Sequence, residues 1–227
     1  MVISFDVGNT LIEPWPSVGA VYAEVAARHG APGLDPDRIN GLFLAAWFVE
    51  RGTFRYRRAD WQSLVQRTMS PLHSLGSDPV FFDALYEHFA GPEPWMIYDD
   101  VLPTLKTMQS CGIRIIATSN WDDRLRPLLV SLGLASYFEF ILVSGEEGVH
   151  KPDPELFLRA SRRLGVDPGE ILHIGDSLSE DVAGATAAGC QAVHLVRDVS
   201  ATTASDPAGR YVRLSNLGAV LDLASRT

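Results

Sequence analysis

Residues 171–189 read ILHIGDSLSEDVAGATAAG. Ile171–Ile174 is a short, mostly apolar run, and Gly175 and a carboxylate, Asp176, follow it. A second acid, Asp181, stands five residues further on. A helical pattern over Glu180–Ala188 stops at Gly189, a residue type that closes helices from the left-handed conformation. The stretch reads as a buried strand that delivers an acid to a loop, which then turns into a helix.

Residues 1–12, MVISFDVGNTLI, follow the same plan. Strand Val2–Phe5 ends at Asp6, and the chain turns through Gly8, Asn9 and Thr10. Three more runs, Ile113–Ala117, Phe138–Val143 and Ala192–Val196, are apolar almost throughout, as parallel strands covered on both faces require. Helical patterns over Val101–Ser110, Asp123–Leu132 and Pro154–Leu164 lie between them. This alternation predicts an α/β fold with a doubly wound, Rossmann-like parallel sheet, whose sites lie at the carboxyl ends of its strands.

The stretch from Trp15 to Trp95 breaks the alternation. It carries helical patterns over Val18–His29, Ile39–Glu50, Asp60–Met69 and Val80–Phe89, and no convincing strand. Proline and glycine cluster near Glu13–Pro16 and Gly91–Pro94, as in linkers. The expected organisation is therefore a core of residues 1–14 and 95–227 with a helical cap of residues 15–94. The other arrangement open to these helices is packing within one continuous core. Ser200–Arg210 is polar and rich in small residues, and reads as a surface loop.

With 46% hydrophobic and 21% charged residues, a chain of 227 can bury a sizeable core. Its net charge of −9 disfavours nucleic acid and anionic membrane as partners. No apolar stretch is long enough to span a bilayer, and the first residues lack a signal-peptide pattern. Cys111 and Cys190 lie far apart, outside any CxxC spacing, and fit free thiols in a reducing cytoplasm. The expectation is a cytoplasmic monomer or homodimer.

A single acid at a strand end serves as readily to cap a helix as to do chemistry. Two strands ending in acids, Asp6 and Asp176, with Asp181 at the next helix start, point further. If those strands are neighbours, the carboxylates converge. A cluster of hard oxygens without nearby His or Cys suits Mg²⁺, and a cation relieves the repulsion. The second strand runs into Ser119 and Asn120. Taken alone these are ordinary turn residues; beside free N–H groups they are also anion ligands. Lys151 and Lys106 are the only lysines. A lysine on a loop is usually solvated, but Lys151 sits at a strand end, where arginine would not act as the same compact charge.

The segments FDVGNTL, TSN, HKPDPELF and IGDSLSEDVAGATAAG resemble, in order and spacing, the four motifs of the haloacid dehalogenase-like hydrolase superfamily. The resemblance covers about two thirds of the chain. Within the superfamily it is nearest to the branch of the domain-containing protein 3, which has an irregular first motif. The resemblance implies a Mg²⁺-dependent hydrolase of phosphorylated small molecules. Asp6 would be the nucleophile, and Lys151 would neutralise charge on it and on the phosphoryl group. Thr10, Ser119 and Asn120 would bind substrate. Asp6, the Gly8 carbonyl, Asp176 and Asp181 would serve the metal.

Position 8 departs from the pattern. Family phosphatases carry a second Asp there, which protonates the leaving alcohol and then helps activate water. Glycine keeps the carbonyl for the metal but removes the proton carrier, and general acid–base catalysis is worth roughly 10²–10⁴-fold. Asn9 fits the turn, because Asn accepts positive φ. If Gly8 is only a missing acid, Gly8→Asp should raise turnover of ordinary phosphoesters. The other class of function open to such a chain is a weakly active or inactive relative that binds a phosphometabolite or a protein partner. Metal-independent 2-haloacid dehalogenation is a further possibility, against which Asp176 and Asp181 argue. In the cap, RGTFRYRRADW sets Arg51, Arg55, Arg57 and Arg58 among Phe54, Tyr56 and Trp61. That patch, with Arg55 foremost, suits the non-reacting part of an anionic substrate or a stacked ring. It also suits a solvated loop whose aromatics face the cap core. Of the six histidines, His150 lies beside Lys151 and the others read as structural.

Overall fold

The computed structural model describes residues 1–197, 209 and 211–224. Most of Ser200–Arg210 lies outside them. The chain forms two compact units, Met1–Ile12 with Ile97–Thr227, and Glu13–Met96.

The first unit is built on six parallel strands. These are β1 (Val2–Phe5), β4 (Arg114–Ser119), β5 (Ile141–Val143), β6 (Ile171–Gly175), β7 (Gln191–Leu195) and β8 (Val212–Leu214). Their order is β5-β4-β1-β6-β7-β8. β1 is the central seam: Phe5 pairs with Ala117 on one side and Ile174 on the other. All four residues of β1 are buried, which explains why the strand does not alternate. Helices α5 (Val101–Ser110), α6 (Leu125–Ser131), α7 (Ser144–Glu147), α8 (Glu155–Leu164), α9 (Ala183–Ala187) and α10 (Val220–Ala224) complete the unit. Helix α8 buries Leu156, Phe157, Ala160 and Leu164. Phe157, Ala160 and Leu164 share a core with Val2, Ile116, Leu142 and Ile171. Each large side chain so buried contributes about 1.5–3 kcal/mol.

The strands differ from the sequence expectation at their edges. Ile113 is not in β4, because Gly112 (φ 70°) turns the chain and the Ile113 N–H closes α5 on Met108. β4 instead runs on to Ser119. β5 begins only at Ile141, since Ala135–Tyr137 forms a turn of 3₁₀ helix. The helix expected from Asp123 begins at Leu125; before it, the Asp122 carboxylate accepts the Arg124 N–H at 3.1 Å. The helix after β6 starts as one wide π-type turn, Leu178–Val182, before α9. Gly189 does close it from a left-handed φ of 84°.

The second unit holds α1 (Val18–Arg28), α2 (Pro36–Glu50), α3 (Arg58–Met69) and α4 (Pro79–His88), close to the four helical patterns. Ser17, Asp35 and Asp78 cap α1, α2 and α4 through their side-chain oxygens. Val21, Tyr22, Ile39, Val65, Phe81 and Leu85 form its core. Two three-residue strands, β2 (Ile12–Pro14) and β3 (Trp95–Ile97), pair with each other where the chain passes between the units. Sequence reasoning missed them because three residues carry no periodicity. No described helix is long and apolar enough to cross a membrane. Both cysteines are free thiols, Cys111 exposed and Cys190 buried. Burial pushes the Cys190 thiol up to about 11.

Candidate active site

The strand order sets β1 between the strands that end in Ser119 and lead to Asp176, so three polar strand ends meet at one edge of the sheet. Asp6 is only 7% exposed. Its N–H donates to the Ile174 carbonyl, continuing the β1–β6 ladder by one residue. Its Oδ1 accepts from Ser119 Oγ at 2.9 Å and from Lys151 Nζ at 2.7 Å. Its Oδ2 has Thr10 Oγ1 at 3.4 Å. Burial raises the Asp6 pKa, and the Lys151 ammonium opposes that shift.

Lys151 is buried among carboxylates rather than solvated. Its ammonium also donates to Asp181 Oδ1 at 2.5 Å. Burial alone would drive its proton off, but Asp181 and Asp6 outweigh burial and hold its pKa well above the ordinary lysine value. The backbone of Lys151 is clamped too: its N–H donates to Asn120 Oδ1 at 2.8 Å, and Asn120 Nδ2 donates to its carbonyl at 3.0 Å and to Glu180 Oε2 at 2.9 Å. The Asn120 side chain, expected at the substrate, is thus committed to holding Lys151. What Asn120 can offer an anion is its backbone N–H.

Asp181 sits behind Asp6, with Oδ2 accepting the Ser177 N–H at 2.9 Å. Its carboxyl packs against Gly175, where a Cβ would lie 2.1 Å from Asp181 Cγ. Only glycine fits before Asp176 for that reason. Burial would raise the Asp181 pKa, yet Lys151 and His173 together hold it far below the usual carboxylate range. His173 is the site residue that sequence reasoning passed over. It is fully buried, with Nε2 3.0 Å from Asp181 Oδ1 and Nδ1 3.0 Å from Ser4 Oγ. Burial keeps its ring neutral, so the proton facing the carboxylate sits on Nε2. The expectation of acids without a nearby histidine is corrected here: His173 backs Asp181 from inside the sheet. The signal was a histidine in an otherwise apolar strand, which a buried position must satisfy.

Asp6, Asp176 and Asp181 each bring a carboxylate oxygen within 4.8 Å of the others. Burial, then the charges of Asp6 and Asp181, push Asp176 up to about 7. Three carboxylates balanced by one ammonium leave a negative, all-oxygen pocket, a donor set that fits a hard divalent cation. Gly8 has an ordinary φ, while Asn9 takes the left-handed turn at 54°. Arg197 secures the loop from outside: it donates to the Thr10 carbonyl, bonds Asp100 at 2.7 Å and stacks on Tyr98 at 4.0 Å.

Residues 1–189 match the family model for haloacid dehalogenase-like hydrolases. The chain belongs to this family. A haloacid dehalogenase-like hydrolase domain-containing protein 3 from Mus musculus is 31% identical over 198 residues, 83% of this chain and 78% of its own. The phosphoserine phosphatase of Thermus thermophilus is 35% identical over 188 residues, 81% of this chain and 68% of its own. YfnB of Bacillus subtilis, a HAD-hydrolase solved with magnesium, has a TM-score of 0.79 at 18% identity, covering 98% of this chain and 97% of that one. That last likeness concerns the fold.

The arginine-rich stretch of this hydrolase lies in its second unit. Phe54 and Tyr56 are buried there, packed edge-on against each other and Trp61. They face the core of the unit, so neither ring is presented for stacking. Arg57 pairs with Asp60, Arg58 pairs with Asp83 and covers Tyr86, and Arg55 donates to the Phe54 carbonyl. Arg57 and Arg58 are thus paired with acids, while Arg51 lies over the Phe48 ring.

Asp176 yields a pH-dependent outcome. Folded, it titrates near 7; unfolded, at about 3.9. The folded state therefore binds this proton more tightly, and the stabilisation is full below about pH 4 and lost as the pH rises through 7. His173 and His194, with lowered pKa values, carry the opposite sign below about 6.5. Comparing wild type with Asp176→Asn cancels them. In chelator, moving from pH 8 to about 5.5 should favour wild type over Asp176→Asn by on the order of 2 kcal/mol, read by urea unfolding. A pH-independent difference would contradict the burial and charge assigned to Asp176.

Proposed function

We propose that this hydrolase cleaves phosphorylated small molecules through an aspartyl-phosphate on Asp6. The observation that carries the reading is the fixed Asp6 carboxylate. Ser119 and Lys151 hold Oδ1, which leaves Oδ2 as the oxygen aimed at phosphorus. Lys151 neutralises charge on both the nucleophile and the phosphoryl oxygens, a stabilisation worth most in a water-poor site. Thr10, Ser119 and the N–H of Asn120 would bind phosphoryl oxygens. His173 and Ser177 orient Asp181, and Asp181 orients the ammonium. Mg²⁺, held by Asp6, Asp176, Asp181 and the Gly8 carbonyl, would supply charge neutralisation to the phosphoryl group. The phosphoserine phosphatase relative agrees with a phosphorylated small-molecule substrate. Residues 15–94 act as the cap that selects the substrate, and the enzyme works in the cytoplasm, on its own or as a homodimer.

The test is phosphate release from acetyl phosphate and p-nitrophenyl phosphate, with Mg²⁺ and with chelator. Release that needs Mg²⁺ is the expected outcome; none in either condition sinks the reading. Gly8 favours a second reading, in which the protein binds a phosphometabolite without turning it over. Calorimetry separates the two, since Mg²⁺-dependent binding without phosphate release supports the binder. Metal-independent chloride release from 2-chloropropionate would instead mark a dehalogenase.

A further inference from the structure

Glycine at position 8 is not explained by its backbone. Its φ lies outside the left-handed region, so any residue could adopt it. What a side chain there meets is the Trp121 ring: a Cβ on residue 8 would lie 3.3 Å from Trp121 Cζ3. That is already tighter than ordinary contact, and the three further heavy atoms of an aspartate must also be placed. The backbone from which the indole projects is fixed. The Trp121 backbone N–H donates to Ser144 Oγ at 3.1 Å, and its carbonyl accepts from the Gly145 N–H at 2.9 Å and from Ser144 Oγ at 3.2 Å. These bonds tie the residue to the corner between β5 and α7.

We infer that Gly8 and Trp121 are a matched pair: the indole takes the room of an acid and closes the leaving-group side of the Asp6 site with apolar ring atoms. The site is then specific for phosphoryl groups carried on weakly basic oxygens, those of acyl and aryl phosphates. This rests on the hydrolase reading above and deepens it. Asp6 Oδ2 forms a bond to phosphorus as the bond from phosphorus to the leaving oxygen breaks. The electron pair departs with that oxygen, as a carboxylate or phenolate that needs no proton. Water then adds to phosphorus, gives up a proton to solvent, and frees Asp6 and inorganic phosphate. An alkyl phosphate would have to expel a strongly basic alkoxide, with no acid beside it.

The measurement is kcat/KM for acetyl phosphate, p-nitrophenyl phosphate and glycerol 3-phosphate, which reports phosphoryl transfer to Asp6 rather than later water attack. Wild type should prefer either activated substrate over glycerol 3-phosphate by about 100-fold or more. The acetyl and p-nitrophenyl arms decide between acyl and aryl substrates. Gly8→Asp with Trp121→Ala should turn over glycerol 3-phosphate at least about tenfold faster than either single variant. A thermal cycle on the same proteins reads the pair without turnover. Gly8→Asp should lower Tm by several degrees with Trp121 present, and by much less in Trp121→Ala. Equal kcat/KM across the three substrates overturns the specificity. Full gain from Gly8→Asp alone, or additive Tm changes, overturns the pairing. Failure to release phosphate from any substrate overturns the hydrolase reading and the specificity with it, and the thermal cycle still decides the pairing. If the double variant does not fold, the wild-type preference and the single variants decide.

Discussion

Lys151→Met is expected to lose about 10²–10³-fold in turnover and about 3–5 kcal/mol of folding stability. The side chain is 1% exposed and its ammonium bridges Asp6 and Asp181, so screening by solvent is slight. Methionine fills much the same volume, and the loss is one of charge. Two carboxylates, buried and close, would be left with His173, Ser119, Thr10 and backbone donors. They can recover only by taking a proton or a cation. The stability deficit should therefore shrink as the pH falls from about 8 towards 5, and shrink again with Mg²⁺. Urea unfolding at two pH values, with and without the ion, measures it. A variant that unfolds like wild type at about pH 8 would show that the ammonium does not hold this site together.

Asp6→Asn should separate binding from chemistry. The change is isosteric, and the amide oxygen can still accept from Ser119 and Lys151. Its nitrogen cannot attack phosphorus. Loss of turnover on the order of 10⁴-fold or more is expected, as for removal of a nucleophile. Tm should move little beside the effect of Lys151→Met, because Lys151 keeps Asp181. Residual activity within about tenfold of wild type would assign the attack to another group and end the aspartyl-phosphate reading.

The two variants also show what was legible in the sequence and why. Asp6, Ser119, Lys151, Asp176 and Asp181 could be read because each is a polar residue at or just beyond the end of an apolar run. The sheet order brings all five together. The strands were legible because burial on both faces leaves a continuous apolar signature. The partners of those five residues were not legible. His173 pairs with Ser4 from a strand 169 positions away in the chain, and nothing local marks that pairing. Asn120 reads as an ordinary turn residue until its amide is found on the backbone of Lys151. Trp121 gave no signal, since its meaning depends on a glycine far back in the chain, at position 8. Short strands such as β2 and β3 fall below the length at which a period can be seen.

The position of β1 has a consequence for the order in which the enzyme comes into being. It is made well before both its neighbours in the sheet, β4 from residue 114 and β6 from residue 171. During synthesis the strand bearing Asp6 waits without a hydrogen-bonded neighbour while about half the chain is made. Its ammonium partner and Asp181 emerge later still. Such distant pairings are slow to close and expose strand edges while they are open. The helical unit, Glu13–Met96, draws on contiguous sequence and can form during that interval. The nascent chain can thus carry a folded helical unit before the side chains around Asp6 have been made. Asp6 is charge-compensated only once Lys151 has been made.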